Sequence, residues 1–135
     1  MKNVPAPRRR AILDYDDVVA RKHAGPEKTW LQDSRADISR RYRHYQRHND
    51  RLETLPAAVW PAVGITALQS CYDNSDAFDA TLLRRTFPNH RNETPICPYC
   101  QVDHARTWDH FLPYTRFPEF SIYPHNLIRA CDDCN

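Results

Sequence analysis

Glycine is almost missing from this sequence: only Gly25 and Gly64 occur in 135 residues. Loops that cradle phosphate need glycine where the backbone closes on the anion, so Walker-type and dinucleotide-binding enzymes are excluded. Long apolar runs are missing as well. The longest, Ala57 to Ile65, has nine residues with Pro61 inside it, whereas a membrane span needs about twenty. No apolar stretch follows the charges of Met1-Lys2-Asn3-Val4-Pro5, so the expected location is the cytoplasm, with no membrane partner. Polar tracts long enough to make disorder the default are also lacking. With 41% apolar and 27% charged residues, the chain is long enough to bury a sizeable core.

Charge is nearly balanced at +2, but unevenly spread: residues 1–90 hold 15 Lys/Arg against 11 Asp/Glu, and residues 91–135 hold 4 against 6. The first part favours a polyanionic partner. Arg8-Arg9-Arg10 closes a basic arm over residues 1–10. Helical spacing of Ile12, Leu13, Tyr15, Val18 and Val19 predicts a first helix from Ala11 to about His23, ended by Gly25-Pro26. A second is expected from Glu27 to Leu52. Its inward stripe is Leu31, Ile38, Tyr42, Tyr45 and Leu52, and Arg40, Arg43, His44, Arg47 and Arg51 lie on the opposite face. Pro61 starts a third, with Val63, Ala67, Leu68, Cys71 and Tyr72 inward, and Asp73-Asn74-Ser75-Asp76 supplies turn chemistry. A fourth is expected from Asp76 to Phe87, burying Phe78, Leu82 and Phe87. Residues 11–90 therefore read as a helical region. Residues 91–135, rich in Cys, Pro and aromatics, form a second unit.

Five cysteines are an odd number, and four form two C-x-x-C pairs, Cys97/Cys100 and Cys131/Cys134, with thirty residues between them. Two intervening residues let one knuckle turn both thiolates toward a point, and two knuckles complete the tetrahedral shell that zinc prefers. Redox dithiols are the alternative, and two pairs so close together favour zinc. Cys71, in an apolar stretch, reads as a buried thiol.

Between the pairs run Trp108-Asp109-His110-Phe111-Leu112-Pro113 and Tyr123-Pro124-His125-Asn126-Leu127-Ile128, and the last pair ends in Cys134-Asn135. This order, CxxC, DHxxP, NL, CxxCN over residues 97–135, resembles the zinc-stabilised group of the HNH endonucleases. The resemblance implies an α+β, mostly helical protein: a helical N-terminal region followed by a small treble-clef, ββα-metal zinc module whose final helix is cut short at Asn135. It implies a metal-dependent DNA endonuclease in which His110 is the general base, Asp109 and Asn135 hold a catalytic Mg²⁺ or Mn²⁺, and Asn126 braces the loop that orients His110. Zinc at Cys97, Cys100, Cys131 and Cys134 would be structural. A histidine titrates near neutrality and accepts a proton from water, and hard oxygens suit magnesium. Neighbouring strand residues face opposite ways, so Asp109-His110 is expected where a strand ends.

Asp103-His104 is another such dipeptide, expected inside the zinc turn and without a catalytic part. Trp108, Phe111, Phe117, Phe120 and Tyr123 are expected to form the small core of the zinc module. Gln101 stands where this family commonly has glycine, and a positive φ there would cost about 1 kcal/mol. The basic residue common after the DHxxP proline is delayed to Arg116. DNA contacts are expected from Arg40, Arg43, Arg47, Arg51 and Arg116. Two rivals stand beside this reading: a catalytically weak zinc-binding module for nucleic acid, and an interaction subunit for a protein partner such as an ATPase.

Overall fold

The structure is a computed structural model that describes residues 10–73 and 96–135. It is α+β, with four helices and a two-stranded sheet among the described residues. The basic arm up to residue 9, the expected helix from Asp76 to Phe87 and the boundary near residue 90 lie outside them. No helix among the described residues is long and apolar enough to cross a membrane.

Helix α1 (Ala11–Arg21) buries Ile12, Tyr15, Val18 and Val19 as its spacing predicts, but Leu13 is exposed and Asp14 is the buried neighbour. The chain leaves it at Lys22 in an extended conformation, and Pro26 opens the next helix, where its missing N–H costs nothing. The single long helix expected from Glu27 to Leu52 is divided into α2 (Pro26–Asp33) and α3 (Arg35–Arg47). Ser34, at φ −89° and ψ 2°, departs from helical dihedrals, yet its N–H still donates to the Trp30 carbonyl at 2.9 Å and its carbonyl accepts from Ile38 at 3.0 Å. The apolar stripe therefore runs through unbroken: Leu31, Ile38, Tyr42 and Tyr45 are all buried, with Leu52 following on a separate 3-10 turn.

Helix α4 (Ala62–Asp73) begins with Ile65 N–H donating to the Pro61 carbonyl. Here Gly64 takes the inward position expected of Val63, which is exposed. The cause is Trp30, whose ring lies where a Cβ on residue 64 would stand. Only glycine allows the two helices so close together.

Strands β1 (Thr107–His110) and β2 (Leu127–Ala130) pair antiparallel, with Thr107 opposite Ala130, Trp108 opposite Arg129, Asp109 opposite Ile128 and His110 opposite Leu127. The segment joining them does not pack a core of its own. Phe117, Phe120 and Tyr123 belong to the same buried cluster as the helices, Trp108 packs partly buried against it, and Phe111 is 49% exposed. Tyr123 stacks on Tyr42 at 4.3 Å between centroids, and Tyr45 meets the edges of Phe120 and Tyr123 at 5.0 and 4.9 Å. Burying these rings against α3 removes far more apolar area from water than the short ribbon offers. A second, small cluster holds Cys97, Ala105, Ala130 and Cys131.

A buried ion pair completes this junction. Arg41, on the inward side of α3, donates Nε to Glu119 Oε1 at 2.8 Å and Nη2 to the Pro56 carbonyl at 2.8 Å. Trp60 Nε1 donates to the other carboxylate oxygen at 3.0 Å, and the guanidinium lies 5.5 Å from the Phe120 centroid.

Candidate functional site

Cys97 and Cys100 lie on the turn before β1, and Cys131 and Cys134 on the turn that follows β2, so the ribbon brings the two pairs together at one end. All four sulfurs lie within 4.8 Å of one another, and Cys100 and Cys131 are 3.8 Å apart. A tetrahedron with metal–sulfur arms of about 2.3 Å has edges of about 3.8 Å, so the cage has the dimensions of a metal–thiolate shell. The surroundings shift the four thiols in opposite directions: burial raises Cys131, and the contact with Cys131 followed by burial raises Cys134 to about 12, whereas the first pair is lowered. Burial opposes ionisation of Cys97, but backbone N–H groups of Cys100, Cys131 and Tyr99 aimed at its sulfur outweigh this and draw the thiol down to about 6. The N–H groups of Asp103 and Val102 likewise lower Cys100. Gln101, just past the knuckle, has φ 58°, the positive value expected from its place in the pattern.

The expectation that the strand ends at the Asp109-His110 pair is not met: both residues pair within the β1–β2 ladder, so their side chains leave opposite faces and reach different neighbours. Asp109 accepts a hydrogen bond from Tyr99 Oη at 2.9 Å, which ties its carboxylate to the first knuckle. His110 is half-buried, with Nε2 2.8 Å from the Ser121 carbonyl. A carbonyl only accepts, so Nε2 carries the proton and Nδ1 is left with the lone pair. Tyr72 meets this ring edge-on at 4.5 Å and Tyr114 lies against it at 4.8 Å. Burial lowers the His110 pKa from its ordinary value, against the opposing pull of the Ser121 carbonyl and of Asp109 and Asp73, because a desolvated ring resists charging.

Asn126 is fully buried, and its amide is saturated. Its Nδ2 donates to the carbonyls of Leu112 at 2.9 Å and Phe120 at 3.3 Å, and its Oδ1 accepts from Leu112 N–H at 2.8 Å and Tyr45 Oη at 3.2 Å. It therefore fixes the backbone two residues beyond His110. Asn135 donates Nδ2 to Thr107 Oγ1 at 3.0 Å and to the Trp108 carbonyl at 3.3 Å, which lays its amide along β1 and leaves Oδ1 uncommitted to the strand. Asp103 and His104 fall in the knuckle loop: the Asp103 carbonyl accepts from Cys97 N–H at 2.7 Å and His104 bridges Ile96.

Arg43, Arg47 and Arg51 are exposed, and so is Arg40, which pairs with Asp37 at 3.1 Å. His44 within this stripe has its pKa lowered, first by partial burial and then by Arg41, Arg47, His48 and Arg40, so the face carries a positive field. Arg116 is exposed and lies over Phe117 at 5.4 Å.

Several residues around the site escape a reading of the sequence. Tyr99 carries no signal beyond being the third residue of a knuckle. Tyr72 has the spacing of a core residue, and Tyr114 and Ser121 stand in no motif that marks them. Arg41 and Glu119 meet across 78 residues, a separation that no local pattern encodes.

No family model matches the chain, and no solved structure matches it. A stretch of 40 residues, 29% of this chain, is 48% identical to Protein ea31 of Escherichia phage lambda, of which it spans 14%.

Proposed function

We propose that this protein is a metal-dependent DNA endonuclease of the HNH type, with zinc at Cys97, Cys100, Cys131 and Cys134 as a structural ion and a ββα-metal arrangement around Asp109 and His110. The observation that carries the reading is the setting of His110: a half-buried imidazole whose Nε2 lies 2.8 Å from the Ser121 carbonyl, so that in the neutral ring Nδ1 is the proton-accepting nitrogen.

Zinc suits a shell of four thiolates because such a shell leaves no open position, so that ion takes no part in the chemistry. A second cation, magnesium or manganese, would be held by hard oxygens, and the chain offers the Asp109 carboxylate and Asn135 Oδ1. When bound, it supplies positive charge to the phosphate oxygens. His110 Nδ1 takes a proton from water as the water oxygen bonds to phosphorus and one P–O ester bond breaks, its electron pair leaving on the departing oxygen. Tyr99 holds the Asp109 carboxylate in place, and Asn126 fixes the Leu112 backbone so that the strand end cannot fray. The exposed arginines of α3, with Arg116, would bind phosphates on either side.

Supercoiled DNA with magnesium or manganese is the substrate for the test. His110→Ala is expected to lower cleavage by roughly 10²–10⁴-fold with DNA binding and zinc content retained, because a base contributes little to ground-state affinity. Asp109→Ala is expected to lose cleavage but recover part of it in excess metal. His104→Ala is expected to cleave as the unmodified protein does. Wild-type cleavage by His110→Ala would refute the assignment, and DNA that is retarded but never nicked would favour the binding-module alternative.

A further inference from the structure

The ring of His110 is held by more than the Ser121 carbonyl. Helix α4 places Tyr72 edge-on to the imidazole at 4.5 Å, with the rings 77° apart, and Tyr114 lies against it at 4.8 Å and 31°. The two tyrosines are 5.5 Å from each other, so the three rings pack as a triangle in which each touches the other two and His110 is flanked on two adjacent sides. Tyr114 is anchored in turn by its hydroxyl, which donates to Asp73 Oδ1 at the end of α4 at 3.0 Å. Tyr72 Oη donates to the Trp108 carbonyl, back on β1, at 3.4 Å.

The carbonyl partner is fixed by the same helices. Ser121 is buried, and its Oγ donates to the Leu68 carbonyl of α4 at 2.7 Å. The preceding residues form a 3-10 turn, Pro118–Phe120, whose Glu119 is clamped by Arg41 of α3. Everything that sets the orientation of the imidazole, apart from its own strand, is therefore held by α3 and α4.

We propose that Tyr72 and Tyr114 are positioning residues that hold the His110 ring against the Ser121 carbonyl, which makes α3 and α4 a working part of the active site and not an appended domain. The inference rests on His110 being the base. A ring free to turn about its χ2 carries Nε2 away from the carbonyl and can put Cδ2, which accepts no proton, where Nδ1 faced the water, and a misplacement of about 1 Å at a reacting group costs roughly a hundredfold in rate.

The test uses the full zinc-loaded chain and two readouts, steady-state cleavage of DNA and the tautomer of His110 from long-range proton–nitrogen spectra. Tyr114→Leu removes the ring at a partly exposed position that folding tolerates. It is expected to lower kcat roughly ten- to a hundredfold with KM for DNA within about twofold, and to turn the His110 spectrum from the Nε2-protonated pattern into a mixture of tautomers. Tyr114→Phe, which keeps the ring and loses only its hydroxyl bond to Asp73, is expected to restore most of both. Tyr72→Leu is expected to behave as Tyr114→Leu does. A Tyr114→Leu protein that keeps its kcat, or loses it with the Nε2-protonated pattern intact, overturns the proposal. His110→Ala measured alongside separates the two readings: if it is inactive while Tyr114→Leu is fully active, only the positioning role falls, and if it cleaves normally, the assignment of His110 as the base falls and the positioning role with it.

Discussion

Replacing Arg41 by methionine is the sharpest test of how the two halves of the chain are joined. Methionine keeps much of the aliphatic volume over Phe120 and remains a good helix former, so what is lost is the guanidinium. Its pairing with Glu119 Oε1 goes, through Nε and Nη2 both at 2.8 Å, and so does the bond to the Pro56 carbonyl. What remains is a carboxylate whose side chain is 0% exposed, with Trp60 as its hydrogen-bond donor. Removing one partner of a buried pair costs about 3–5 kcal/mol, because the surviving charge can neither hydrate nor pair. For a domain of this size that lowers Tm by about 11–18 °C, and the urea midpoint falls by about 2 M if the slope is about 2 kcal/mol per molar. Chemical denaturation followed by tryptophan fluorescence, with zinc present throughout, measures it. The double variant Arg41→Met with Glu119→Leu should recover part of the stability, since an apolar pair leaves no buried charge, although Trp60 Nε1 and the Pro56 carbonyl lose their partners. A single variant within about 1 kcal/mol of the parent, or a double variant less stable than either single one, would refute the claim that this pair joins α3 to the 118–121 turn.

Gln101→Gly should stabilise the protein by about 1 kcal/mol, read as a higher urea midpoint, because Gln101 occupies φ 58° and glycine adopts that conformation without a Cβ penalty. Cys71 is buried on α4 with its thiol pushed up from its ordinary 9.0 to about 12, by burial first, with Glu27 adding to the rise and Lys22 opposing it. It should resist alkylation at pH 8 even after chelation, so four thiols per chain should react with a colorimetric disulfide reagent, and a fifth only in denaturant. The sign for stability follows from linkage: the folded state keeps a proton that the unfolded chain releases near 9, so this contribution is full below pH 9 and is lost as pH rises toward 12. Replacing Arg43, Arg47 and Arg51 together should weaken DNA binding and flatten its salt dependence by about one unit of slope for each phosphate no longer neutralised, measured by fluorescence anisotropy across a salt series. An unchanged slope would make that face merely solvated.

Legibility follows the range of the interactions. Features set by local periodicity or spacing are open to reading: the buried stripe from Leu31 to Tyr45, the start of α4 after Pro61, the positive φ at Gln101 and the convergence of the four cysteines. Features set by what arrives from elsewhere are not. Ser34 divides a helix whose apolar pattern is continuous, since one residue with non-helical dihedrals leaves the periodicity almost unchanged. Val63 is apolar and at helical spacing, but Trp30 occupies the space inward of it and makes Gly64 the contact residue. Arg41 reads as one more arginine in a basic helix until Glu119 stands opposite it. The aromatics of residues 117–123 look like the core of a separate small module because nothing local reveals that Tyr42 and Tyr45 lack partners without them.

That dependence has a consequence for how the protein is made. Tyr45 bonds to Asn126 across 81 residues, and Arg41 meets Glu119 across 78. A ribosome releases α3 long before it releases the segment that covers it, and during that interval the aromatic face of the helix is open to solvent and to chaperones. Contacts so distant in sequence close late and slowly. The helices therefore mature only when the segment bearing Asn126 and β2 has emerged, and the same docking step that hides Tyr42 and Tyr45 sets the Ser121 carbonyl on His110. Burial of the hazardous surface and assembly of the site coincide, so chains interrupted before this point are left with both undone and exposed to proteolysis.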